Sequence, residues 1–184
     1  TDCEFDHNGG NAVFVSNYSR RATISGCHIH DAGGSGICFV GNPDAVRSPL
    51  FEYNEFQALA SIDTVRGPKT SHYPDSCLAY NNLIYRTGAI EKQTAGVQIS
   101  MAMDITVSHN TIYDVPRAGI NISEGTWGGH VIEYNDVFNT VLETGDHGAF
   151  NSWGRDRYWH PLRRVMDSLV AAHPWLVKLD AIKT

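Results

Sequence analysis

No stretch of about 18 consecutive apolar residues occurs in the 184-residue chain, so the sequence holds no candidate transmembrane helix. No secretory leader pattern opens it. Positive charge is in deficit: 14 Lys and Arg face 20 Asp and Glu, a formal net charge of −6. That balance argues against nucleic acid or an anionic membrane surface as the main partner. The four cysteines, Cys3, Cys27, Cys38 and Cys77, include no C-x-x-C pair and no zinc-ligand spacing. Tight Asp clusters of the hard-cation type are also missing, and no metal or cofactor is expected. A dense L-x-x-L-x-L frame is absent, which sets leucine-rich repeats aside. Long helix signals are few, whereas 17 glycines and 42% hydrophobic residues suit a strand-and-turn domain with a real core.

A short phrase recurs down the chain. Cys27-His28-Ile29-His30, Tyr53-Asn54-Glu55-Phe56, Asn82-Leu83-Ile84-Tyr85, Asn110-Thr111-Ile112-Tyr113 and Asn135-Asp136-Val137-Phe138 superimpose, and Cys3-Glu4-Phe5-Asp6 fits as an earlier copy. The key positions lie 24, 27, 28, 28 and 25 residues apart, a stacked-repeat period. Within a repeat, Ile105, Val107 and Ile112 alternate with polar residues, as strand residues do. Asn110 falls at the corner between two strands, where Asn tolerates unusual backbone angles. A third strand follows in Ala12-Val13-Phe14-Val15, Gly36-Ile37-Cys38-Phe39, Gly96-Val97-Gln98-Ile99 and Gly119-Ile120-Asn121-Ile122. Three short strands and three turns per repeat define an all-β right-handed parallel β-helix of about six rungs. Stacked rungs would set the Asn side chains in a column, each satisfying its neighbour's amide. Cys3 and Cys27 would be neighbours in that column, read as small thiols in preference to a bridge. Thr1 falls inside a rung and Thr184 follows no cap, so the sequence reads as a piece of a longer protein. A missing leader then carries no weight about export.

Two segments break the repeat. The first, residues 58–76, carries Arg66, Lys69, His72, Tyr73 and Asp75, and reads equally as a solvated bulge or as a binding loop on one face of the scaffold. The second runs from Leu142 to Trp159. It gathers Glu143, Asp146, His147, Asn151, Trp153, Arg155, Asp156, Arg157, Tyr158 and Trp159 around the third strand of the last rung, where a solenoid has a flanking groove. Aromatic faces stack on sugar rings, and carboxylates and guanidinium groups bond hydroxyls or acidic substituents. Singly, Asp146 could cap a turn, His147 could be structural, and Arg155-Asp156 could be a local ion pair. Their clustering favours a site.

Glu143-Thr144-Gly145-Asp146-His147-Gly148, running into Asn151-Ser152-Trp153-Gly154-Arg155-Asp156-Arg157-Tyr158-Trp159, resembles the pectate-lyase-like right-handed β-helix proteins. More narrowly it is similar to the α-L-fucosidase/xylanase β-helix glycoside hydrolases, family 141. The resemblance spans nearly the whole chain. It implies an exported bacterial enzyme, secreted or periplasmic, that acts on plant cell-wall or related polysaccharide with acidic residues and no organic cofactor. It implies catalytic acids on neighbouring rungs, Asp146 first among them, and a further acidic strand beyond the helical insertion, which this chain does not reach.

Glycosidic cleavage needs a group that protonates the leaving oxygen and a carboxylate acting as base or nucleophile. With Glu143 three residues before it and aromatics after it, Asp146 is expected to have a raised pKa and serve as the acid. Asp156, between Arg155 and Arg157, is expected to stay ionised, and Glu124 is the alternative partner. Gln98, Asn121 and Asn151 should point outward from the third strands towards substrate. A polysaccharide lyase or epimerase would instead draw its base from Arg117, Arg155 or Arg157, and a third reading is a carbohydrate-binding β-helix module without catalysis. Beyond His160, residues Leu162, Val165, Met166, Leu169 and Val170 recur at helical spacing, with Pro161 in the first turn and Pro174 as the stop. This helix, within 160–175, should pack on the solenoid flank, and Leu176, Val177 and Leu179 should begin the next rung.

Overall fold

The computed structural model describes residues 1–48, 50, 52–123, 127–154 and 156–183. In chain order, β1 (Glu4–Asp6) and β2 (Val13–Ser16) lead into β3 (Ser19–Arg20), β4 (Thr23–Ser25), β5 (His28–His30) and β6 (Ile37–Val40). A long excursion then separates β6 from β7 (Pro74–Asp75), β8 (Leu78–Tyr80), β9 (Leu83–Tyr85) and β10 (Ala95–Ser100). Next come β11 (Thr106–Ser108), β12 (Thr111–Tyr113) and β13 (Ala118–Ser123), then β14 (Val131–Glu133), β15 (Asp136–Phe138) and β16 (Phe150–Ser152). All pairings are parallel, in stacks ordered β4-β8-β11-β14, β1-β5-β9-β12-β15 and β2-β6-β10-β13-β16, with β3-β7 as a short fourth. The architecture is the expected parallel β-helix.

Period-two alternation sends one residue of each short strand inward. Ile29, Ile84, Ile112 and Val137 align in register, as do Ile37, Val97 and Ile120. These columns form one continuous core in which Ile29, Ile37, Ile84, Val97 and Ile112 are fully buried. Each such side chain contributes roughly 1.5–3 kcal/mol by leaving water. Where β10 begins, a Cβ on Gly96 would stand 2.4 Å from Ile112 Cγ2 and 2.8 Å from Gly119 O, so only glycine lets the rungs approach this closely.

The Asn column forms where expected. Asn82 Nδ2 donates to Asn110 Oδ1 (2.9 Å), and Asn110 Nδ2 donates to Asn135 Oδ1 (2.9 Å). Each Nδ2 also reaches a backbone carbonyl of the preceding corner: Ile24, Ala79 and Val107 in turn. The ladder ends at Cys27, whose N–H donates to Asn82 Oδ1 (3.0 Å), and all four cysteines are free thiols. The left-handed backbone lies one residue earlier than the sequence suggests, at Asn81, His109 and Tyr134 (φ 54°, 56° and 53°). The Asn therefore serves through its side chain and not through its φ. Asn110→Ala strips partners from the Asn82 amide and from Asn135, and should cost about 2–3 kcal/mol in urea denaturation.

Tyr53-Asn54-Glu55-Phe56 forms no rung. The chain leaves the solenoid at Gly41 and returns at Pro74, so the described residues build five strands in each of the two tallest stacks. The C-terminal helix α1 (Arg163–Ala172) carries the expected stripe, with Val165, Met166, Leu169 and Val170 half-buried. It packs beside the excursion and not on the strands, Leu169 joining a cluster of Ile62, Leu176 and Leu179. Residues 174–178 coil as a 3-10 helix and start no strand. The chain rejoins the stack later, where Lys183 bridges Gly128 in parallel.

Candidate functional site

The two segments that break the repeat meet each other. Arg157 is buried and pairs with Asp180 (Nη2–Oδ1 2.9 Å). The same guanidinium donates to the carbonyls of Asp63 (2.7 Å), Val65 (2.6 Å) and Leu179 (2.6 Å). Arg47 ties the excursion to itself through Gly67 O, Pro68 O and Asp63 Oδ2. This scaffold presents two aromatics: Trp159 Nε1 donates to Tyr53 O (3.1 Å), and the two rings meet edge-on at 5.4 Å.

Facing them is the last turn before β16. The N–H groups of Glu143 and Thr144 both donate to Pro116 O (3.1 and 3.2 Å), folding the turn back over the previous rung. Arg117 Nε is thereby set 3.2 Å from Asp146 Oδ1, and His147 Nδ1 lies 2.9 Å from the same oxygen. Tyr53, Arg117, Asp146, His147, Asn151, Trp153 and Trp159 line one open cleft of about 340 Å³. Asn151 also settles the register of the groove strand. It pairs with Asn121, which pairs with Gln98, and the amides link outward along the stack: Asn151 Nδ2 to Asn121 Oδ1, and Asn121 Nδ2 to Gln98 Oε1, each 2.8 Å. Asn121 is buried beneath this chain of amides, so Asn151 is the member that reaches the cleft.

The electrostatics reverse both sequence expectations. The Arg117 guanidinium, with His147, holds the Asp146 carboxyl below its ordinary range, so it is a carboxylate and not the stored acid. Its pairing therefore contributes at neutral pH and is lost in acid, as pH falls through the depressed value. A carbon-detected NMR titration should place the Asp146 midpoint below that of an ordinary aspartate, and Arg117→Gln should bring it back up. Asp156 shifts the other way: burial first, then the nearby Asp180 charge, raises its carboxyl pKa. Arg157, its neighbour in sequence, does not neutralise it, because that guanidinium turns to Asp180.

Several expected residues lie elsewhere. Asp156 and Tyr158, which share a side-chain hydrogen bond, belong to the buttress behind Trp159. Arg157, expected on substrate, is fully engaged in that buttress. Glu143 pairs with Lys92 (2.9 Å) and lines a neighbouring hollow with Arg86 and Asp114. Glu124 and Arg155 lie outside the described residues. The cleft gains Tyr53, which the sequence had placed in a rung. One signal against that reading was present: no Gly-led third strand follows Phe56 at the usual spacing.

A parallel solenoid whose side cleft joins carboxylate, guanidinium, amide and aromatic groups is of the class found among polysaccharide-acting enzymes and carbohydrate-binding proteins. The model of the family described as right handed beta helix region matches residues 1–158, and the chain belongs to that family. Neither the curated proteins nor the solved structures yield a match.

Proposed function

We propose that this cleft binds a polysaccharide or oligosaccharide and that the protein is a glycoside hydrolase of plant cell-wall or related glycans, working in a secreted or periplasmic setting. The observation that carries this is Asp146, a carboxylate held ionised by Arg117 and His147 at the edge of an open cleft walled by Tyr53, Trp153 and Trp159. In this reading Asp146 is the base or nucleophile. His147, touching it, orients that carboxylate towards the sugar. The aromatic rings take the apolar faces of sugars, and Asn151 takes hydroxyls. Polymers of that kind are met outside the cytoplasm, which fits the setting proposed.

A second reading is a binding module without turnover. It is favoured by Asp146 being the sole carboxylate among the described residues that line the cleft. Among the described residues, Arg117 is the lyase base candidate that lines the cleft, and it is committed to Asp146 and His147. Titration of tryptophan fluorescence against a panel of soluble cell-wall oligosaccharides tests the site itself. Binding should occur, and Trp159→Ala should weaken it about tenfold, the loss of one stacking partner worth about 1–1.5 kcal/mol. Absence of binding across neutral, acidic and acetylated glycans overturns the assignment.

A further inference from the structure

Far from the cleft, at the β1 end of the stack, two histidines and a carboxylate share one outer face. Strand alternation puts His28 and His30 on the same side of β5, with Ile29 inward between them. The register of β1 sets Glu4 opposite His28 and Asp6 opposite His30. Glu4 Oε1 stands 3.2 Å from His30 Nε2 and 3.7 Å from His28 Nδ1, and one donor atom from each of the three lies within 4.8 Å of the others. Two atoms bonded to a tetrahedral zinc at about 2.0–2.1 Å stand roughly 3.3–3.4 Å apart. The observed separations bracket that value.

The outer contacts are those that orient ligating imidazoles. His30 uses its other nitrogen, Nδ1, towards Asp31 Oδ2 (2.7 Å) and Asp6 Oδ1 (3.2 Å), which leaves Nε2 facing Glu4. Asp31 is gripped in turn by Arg86 through Nε (2.8 Å) and Nη2 (2.6 Å). His28 turns its far nitrogen, Nε2, to the Tyr85 hydroxyl (2.8 Å), and the Tyr85 ring stacks on His30 at 5.2 Å. A carboxylate behind one histidine and a hydroxyl behind the other fix ring orientation and tautomer for metal binding. Glu4 is exposed and His28 half-exposed, so an ion can enter. A second grouping, Asp6, His7 and Asp31, is less suitable, since its carboxylates already serve His30 and Arg86.

We propose that Glu4, His28 and His30 form a site for a divalent transition metal of the zinc class, with a fourth position open to water. Both histidines are on β5 and the carboxylate is on β1, so the ion clips these strands together. Thiolate spacing in the sequence gave no hint, because the ligands come from adjacent rungs and contain no sulfur.

The test is isothermal titration of the full chain with Zn²⁺, read against Glu4→Gln, His28→Ala and the outer-shell variant Asp31→Asn, each checked for fold by circular dichroism. Wild type should take up one equivalent. Glu4→Gln, exposed and isosteric, should retain the fold and weaken binding at least tenfold, and His28→Ala should abolish it. Asp31→Asn should weaken it about 10–100-fold. No uptake by wild type overturns the proposal, as does uptake that survives both Glu4→Gln and His28→Ala unchanged.

Discussion

Arg157→Ala should destabilise the protein by about 3–5 kcal/mol, the range for removing one partner of a buried ion pair. Three costs combine at this residue. Asp180 is left buried without its cation, the carbonyls of Asp63, Val65 and Leu179 lose their donor, and a large cavity opens between the excursion and the C-terminal segment. The double variant Arg157→Met, Asp180→Leu should recover only part of the loss, because the three carbonyls stay unpaired. Urea denaturation gives the number, and a change below about 1 kcal/mol would contradict the buttress assignment. The same variant should weaken glycan binding, since the buttress holds Tyr53 and Trp159 at the cleft although Arg157 never touches a ligand.

The parts of the fold written in local patterns were legible in the sequence. Inward isoleucines at fixed spacing gave the rungs, and Asn82, Asn110 and Asn135 gave the ladder, because each repeat carries its own instructions. What failed depended on contacts between distant segments. Tyr53-Asn54-Glu55-Phe56 matches the repeat phrase yet coils in the excursion, held by Trp159 from the far end of the chain. Leu176 and Leu179 look like strand residues but bury themselves against Ile62. At the site, the sequence grouped Asp146, His147, Asn151, Trp153 and Trp159 within one segment, and all five line the cleft. It misjudged their charges, because neighbours in sequence are not neighbours in space. Arg117, 29 positions from Asp146, decides its ionisation, while the adjacent Arg157 leaves Asp156 to be governed by burial.

Asp146→Asn should lower the turnover of a cleaved glycan by about 100- to 10,000-fold, the range for a positioned proton-transfer group. A nucleophilic role would place the loss at the upper end. Asparagine has the same shape and keeps an oxygen for Arg117, so the cleft should hold its form and the KM should move little. That separation identifies lost chemistry as opposed to lost binding. Unlike Arg157→Ala, this change should leave the urea midpoint nearly unmoved, because the Asp146 carboxylate is exposed.

The most direct measurement is a paired assay of wild type and Asp146→Asn on cell-wall oligosaccharides, following reducing ends for turnover and tryptophan fluorescence for binding. Release of reducing ends by wild type, with binding retained and turnover lost in Asp146→Asn, is the expected result. Turnover by Asp146→Asn at the wild-type rate, or binding by wild type without any cleavage, would contradict a hydrolase centred on Asp146.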